Sequence, residues 1–163
     1  MYSRIVDTLA TATARLEESA YPDAVILPNF PRSIQLDKYS CGSKSVFTIL
    51  RYYNKRCTPI SVERELHTTY EGTAIPDIKR VLKRHGLKYR KIRNLKAAID
   101  HGYPVLVSTY EQWHYSVVYG YWKTHYFIMN PSLGQMGSLF CAVTKKKFKQ
   151  IADGWAIEVR MPR

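Results

Sequence analysis

Helical periodicities occupy the chain up to residue 101, and strand-like runs dominate from residue 104 onward. That division constrains the fold more than any other feature, because helices followed by a block of strands pack as an α+β domain with an antiparallel sheet. Ile5, Leu9, Ala12 and Leu16 recur at helical spacing and predict one amphipathic helix over 2–19. Pro22, Pro28 and Pro31 make 21–32 an extended connector. Val46, Phe47, Ile49, Leu50 and Tyr53 then form a broad apolar stripe, the pattern of a core helix over 41–53. Thr58-Pro59 supplies an N-cap and a first-turn proline for a helix reaching about His67. A further helix over 76–85 closes at Gly86, a strand follows over 87–92, and a short helix over 95–101 stops at Gly102. The runs 104–109, 114–121, 126–130 and 156–161 read as strands, and Thr144 caps a last helix over 145–152.

With 163 residues, 45% of them hydrophobic, the chain has enough apolar material for one well-buried domain, which excludes wholesale disorder. No run approaches the ~18–20 apolar residues of a membrane span. The first twenty residues lack the apolar block of a signal peptide and are interrupted by Asp7, Arg15, Glu17 and Glu18, so a cytoplasmic location is expected. Cys41, Cys57 and Cys141 are too scattered for a disulfide framework, and no Cys-x-x-Cys pair suggests a zinc or redox motif. Cys57 and Cys141 read as packing residues. No His-x-x-x-His or carboxylate–histidine cluster is present, so neither a metal nor another cofactor is expected.

Charge is the most prominent global property: 25 Lys and Arg against 13 Asp and Glu, a net +12. Residues 1–37 carry −2 and the rest +14. Such a body favours an acidic partner, with binding that weakens in salt. The run 79–96 holds nine basic residues and no acidic one, but Lys79, Arg80, Lys83 and Arg84 fall opposite Ile78, Val81 and Leu82, as on an ordinary solvated helix face.

Chemistry gathers at Cys41. It stands at the predicted start of the core helix, where unpaired N–H groups favour a thiolate. Gly42 would let backbone approach a bound substrate, and Gln35, on the preceding loop, is a neutral donor suited to a developing oxyanion. A thiolate nucleophile needs an imidazole partner. His67 and His85 lie on helices or their ends, and His101 in a loop. If 114–121 and 126–130 pair as a hairpin, His114 and Asn130 meet at its open end, whereas His125 sits at the turn, roughly 16 Å away at ~3.3 Å per residue. His114 can then donate a ring N–H to the Asn130 side chain, which fixes its tautomer.

Gln35 six residues before Cys41-Gly42, then His114-Tyr-Ser-Val-Val-Tyr-Gly120, then Asn130-Pro131-Ser132 resembles the double-glycine, bacteriocin-processing peptidases, a family of papain-like cysteine peptidases. The stretch 61–87 resembles that family's second and third helices, and the likeness covers about residues 30–160. It implies a papain-like fold in which an N-terminal helical half, with the nucleophile at a helix start, packs on an antiparallel sheet. It further implies Cys41 as nucleophile, His114 as general base and acid, Asn130 as orienter and Gln35 in the oxyanion hole. The implied reaction is peptide-bond cleavage, typically after a Gly-Gly pair ending a leader peptide. On this reading 1–24 is a helical extension, a contact for an exporter or other partner protein, and 25–163 is the peptidase domain.

Two other readings stay open. The basic faces suit a papain-like domain that acts on tRNA or other RNA with the same Cys/His pair. A domain that holds a leader peptide without cleaving it would keep the same groove.

Overall fold

The computed structural model describes residues 2–110, 114–132 and 141–162, with side chains from residue 4 onward. Helix α1 (Tyr2–Ser19) leads to a two-residue strand β1 (Val25–Ile26), and then come α2 (Cys41–Tyr52), α3 (Pro59–Glu65) and α4 (Ile75–Arg84). Strand β2 (Lys88–Lys91), helix α5 (Leu95–Asp100) and strands β3 (Val105–Thr109), β4 (His114–Tyr121) and β5 (His125–Met129) follow. β6 (Ala142–Thr144), α6 (Lys145–Ile151) and β7 (Ala152–Arg160) complete the order. The α+β expectation holds, and every helix predicted from periodicity and capping is present.

Local chemistry sets the helix ends. Thr58 accepts the Ser61 N–H while the Ser61 hydroxyl accepts the Thr58 N–H, a reciprocal capping box at α3. At α5 and α6 the Asn94 and Thr144 side chains each accept one N–H, of Ala97 and Lys147, as simple N-caps. Gly86 and Gly102 take left-handed φ values of 73° and 80° just past α4 and α5.

One sheet runs in the order β2-β7-β3-β4-β5-β6, every pairing antiparallel. β1 also joins it, pairing Val25 with Tyr121 and Ile26 with Gly120 on the part of β4 that extends past its pairing with β3. Three strands exceed the sequence reading, β1 among them, in the segment read as a connector. β6 is three residues long, and β7 begins at Ala152 rather than 156. Asp153-Gly154 has the look of a turn, but a register shift between Val107 and Thr109 lets β7 continue beside β3, and Asp153 accepts the Ser108 hydroxyl at 2.6 Å.

α2 is the central helix. It buries Val46, Ile49 and Leu50 against the sheet, and the Ser45 hydroxyl donates to Tyr115 O on β4 at 3.2 Å. Gly42 is obligatory for that contact, since a Cβ there would stand 2.7 Å from Thr73 Cβ and 3.2 Å from Tyr115 Cδ2. This internal close approach is a role for Gly42 that the sequence reading did not include.

α1 docks by its small and acidic face. Ala10 and Ala14 are buried, Asp7 accepts the Ile34 N–H at 2.7 Å, Glu18 accepts the Tyr119 hydroxyl at 2.6 Å, and Glu17 accepts the Cys141 N–H. Its apolar stripe (Ile5, Leu9 and Leu16, 55–74% exposed) faces solvent. Among the described residues, no helix is long and apolar enough to cross a membrane.

The Gly42 contact makes a direct prediction. Gly42→Ala forces Thr73 or Tyr115 to move and should cost about 1–3 kcal/mol of stability. A urea denaturation midpoint that drops by the corresponding amount checks it.

Candidate active site

Three segments converge at the N-terminal end of α2. The loop before it carries Gln35 and Asp37, the start of β4 carries His114, and the end of β5 runs into Asn130. Cys41, His114, Asn130 and Gln35 are all buried.

Asp37 builds the loop that delivers Cys41. One of its carboxylate oxygens accepts the N–H groups of Tyr39 at 2.8 Å and Ser40 at 2.7 Å, and the other accepts the Ser40 hydroxyl at 2.8 Å. The Ser40 side chain is thereby drawn away from capping α2. The backbone N–H groups of Tyr115, Gly42 and Cys41 act to favour the thiolate. Burial nevertheless pushes the Cys41 thiol up, and these N–H groups only partly offset it, while the Asp37 carboxylate adds to the rise. The helix terminus therefore acts in the direction expected from sequence, but desolvation outweighs it. Cys141, fully buried, is driven up further, to about 12, again mainly by desolvation.

His114 points Nε2 at Asn130 Oδ1, 2.7 Å away. The same oxygen accepts the Ser132 N–H at 3.0 Å, so the amide presents its carbonyl to the ring. A carbonyl oxygen only accepts, so Nε2 carries the proton and Nδ1 of the neutral ring is the available base. Burial lowers the His114 pKa below its ordinary value, with the Asn130 contact opposing. A neutral thiol and a neutral imidazole are the resting pair these directions favour.

Gln35 Nε2 donates to Asp37 O at 2.8 Å, and the Gln35 backbone N–H donates to Pro131 O at 2.9 Å. The second contact ties the loop bearing Gln35 to the residue that follows Asn130. One Nε2 hydrogen remains for another acceptor.

The structure thus brings His114 and Asn130 together as the hairpin geometry predicted. It places Gln35 on the same loop as the approach to Cys41, and it sets the residue after His114 against Cys41 and Gly42. The other histidines go elsewhere. His67 lies near Asp77, His85 Nε2 is 3.0 Å from a Glu65 oxygen, His101 Nδ1 is 2.6 Å from Ala97 O, and His125 meets Thr124. Sequence reading missed Asp37, although Asp-x-x-Ser before a helix is a recognisable turn signal. It also missed Asp7, which holds Ile34 from 27 residues away with no local pattern to reveal it.

Asp37 yields a pH prediction. Burial alone would raise its carboxyl, but the N–H bonds from Tyr39 and Ser40, the Ser40 hydroxyl and the Lys44 charge together hold it below the ordinary value. A depressed folded-state pKa contributes stability above the unfolded value of ~3.9 and loses it as pH falls through the folded one. Asp37→Asn should accordingly lower the urea midpoint at pH 6, with the gap to wild type closing below about pH 4.

Comparison with known proteins places these observations in context. The model of the peptidase C39 family matches residues 29–161. No curated protein gave a significant match. Among solved structures, a double glycine motif protease from an AMS/PCAT transporter, in complex with its leader peptide, superposes with a TM-score of 0.68 at 17% identity, covering 81% of this chain and 91% of that one. A C39-like peptidase from Bacillus anthracis gives 0.69 at 18% identity, covering 86% and 98%. The peptidase domain of Streptococcus ComA, a bi-functional ABC transporter of a quorum sensing pathway, gives 0.63 at 20%, covering 79% and 96%.

Proposed function

The chain belongs to the peptidase C39 family and is a papain-like cysteine peptidase, and we propose that it cleaves a leader-type peptide with Cys41, His114, Asn130 and Gln35. The observation that carries this reading is the 2.7 Å contact from His114 Nε2 to Asn130 Oδ1, with the next residue of β4, Tyr115, packed against Gly42 beside Cys41.

On this reading the Cys41 thiol passes its proton to His114 Nδ1 as the sulfur attacks the scissile carbonyl carbon. The resulting oxyanion is met by the Cys41 N–H and the remaining Gln35 side-chain N–H. When the intermediate collapses, the C–N bond breaks and the His114 imidazolium protonates the leaving amine. A water then attacks the thioester with His114 as base, releasing the new carboxyl end and restoring the thiol. Asn130 keeps the ring in the productive tautomer throughout. A resting pair of neutral groups means the thiolate forms largely as attack proceeds.

The substrate proposal draws on the leader-bound structure, a double glycine motif protease. Cleavage after a Gly-Gly pair is accordingly the specificity proposed, and residues 1–24 are proposed as an extension outside the peptidase domain.

Mass spectrometry of a proteome incubated with wild type and with Cys41→Ala tests the proposal. New peptide ends preceded by Gly-Gly should appear with wild type alone, and Cys41→Ala should keep its fold by circular dichroism. His114→Ala should lower turnover of any peptide so identified by about 10²–10⁴-fold. Turnover that survives Cys41→Ala would overturn the assignment, and Cys41-dependent nicking of total tRNA without new peptide ends would replace it with an RNA-cleaving one.

A further inference from the structure

Along the β2–β7 edge lies a cavity of about 560 Å³ lined by Arg90, Lys91, Arg93, Tyr103, Glu158 and Arg160. The basic run read from sequence as a solvated helix face therefore continues past α4 into a concave surface. At its floor, Arg90 of β2 lies directly opposite Glu158 of β7. The Glu158 side chain is 3% exposed, with Arg90 Nε at 3.1 Å and Arg160 Nη1 at 3.8 Å from the same carboxylate oxygen. One buried carboxylate thus holds two guanidinium groups side by side. Arg90, engaged through Nε, is still 65% exposed. With Lys91 and Arg93 added, the lining carries four cations against one anion.

The site's position relates it to the peptidase centre. Glu158 pairs with Val105, Val105 with Val118, and His114 lies four residues back along β4 in the same regular pairing, so Glu158 and His114 share one face of the sheet. About 14 Å along β4 and about 10 Å across two strand spacings separate them, roughly 17 Å in all, which an extended peptide spans in about five residues. Between the two ends lies a smaller, mainly apolar cavity of about 300 Å³, lined by Leu95, Val107, Phe148 and Trp155, which shares Ile92 and Arg93 with the basic one.

We propose that the arginine cavity is a binding site for acidic side chains of a peptide substrate, engaging carboxylates about five residues from the scissile bond. Paired guanidinium groups take carboxylates in forked hydrogen bonds. A polynucleotide would also want an open aromatic face, yet Tyr103 has Arg160 6.0 Å from its ring centroid and His101 stacked at 6.0 Å. The link to peptide cleavage rests on the function proposed above; binding itself is measurable without turnover.

Anisotropy of tetramethylrhodamine-labelled hexaglutamate and hexaglutamine, with full-length Cys41→Ala protein at low salt, tests it. Hexaglutamate should bind at least about tenfold more tightly, and less so as salt rises. The double variant Lys91→Glu/Arg93→Glu, which leaves the Glu158 pairs untouched, should lose about tenfold or more. Lys146→Glu/Lys147→Glu, an equal charge change on exposed α6 residues, should stay within about twofold. Equal losses in both doubles would mean attraction to net charge alone and would overturn the site. Poly(U) that binds more tightly than hexaglutamate, with the same dependence on Lys91 and Arg93, would overturn it in favour of a polynucleotide. Alkylation of Cys41 by iodoacetamide in wild type tests the cysteine assignment separately, so hexaglutamate binding beside an unreactive Cys41 would sink the catalytic reading and leave the acidic site standing.

Discussion

The approach of the α2 N-terminus to β4 is the constraint on which the rest depends. It is possible because Gly42 has no side chain to collide with Thr73 and the Tyr115 ring. It is locked by the Ser45 hydroxyl on Tyr115 O, and it brings the start of β4 beside Cys41. A helix can approach a strand this closely only where one partner is reduced to backbone. The residue that satisfies this packing rule is also the one beside the proposed nucleophile, so fold and chemistry share a single contact.

Two hydrogen-bonded straps keep the surrounding loops in place. Asp37 gathers the turn before α2, and the Gln35 N–H on Pro131 O joins that turn to the end of β5. α1 adds a third support through Asp7 on Ile34, the neighbour of Gln35. The family match begins at residue 29, beyond α1, yet this helix reaches the loop that bears the proposed oxyanion donor. Its docking also explains the charge asymmetry of the chain. Asp7, Glu17 and Glu18 serve as acceptors for N–H and O–H groups of the body, while cations of the body gather around the β2–β7 cavity. Acceptors placed on buried donors matter because an unmet buried polar group costs about 1–3 kcal/mol.

Electrostatics in the centre favour neutrality at rest. Burial dominates the perturbation of both Cys41 and His114, moving the thiol up and the imidazole down. Both shifts oppose a preformed ion pair, since desolvation penalises whichever form is charged. On the proposed role of Cys41, the backbone N–H groups that favour its thiolate matter most as negative charge develops, which is the condition for preferential stabilisation of a transition state over a ground state.

Much of this protein was legible in the chain, for physical reasons. Helix and strand periodicities are local, and caps such as Thr58, Asn94 and Thr144 depend on three or four consecutive residues, so every helix could be read directly. The hairpin that unites His114 and Asn130 followed from strand spacing alone. The start of β7 was not readable, because Asp153-Gly154 carries a turn signal that pairing with β3 overrides. The direction of the Cys41 shift escaped as well, since burial depends on packing from segments distant in sequence. The same holds for the docked face of α1, where periodicity marks the apolar stripe but tertiary structure buries the opposite side, and for Glu158, whose pairing with Arg90 and Arg160 turns a run of basic residues into a shaped cavity. Sequence determined the helices, most of the strands and the ordered set of proposed site residues, because these rest on local pattern and residue chemistry. Tertiary structure alone decided burial, charge state and the carboxylates that brace the site, because each depends on neighbours that the chain's linear order keeps far apart.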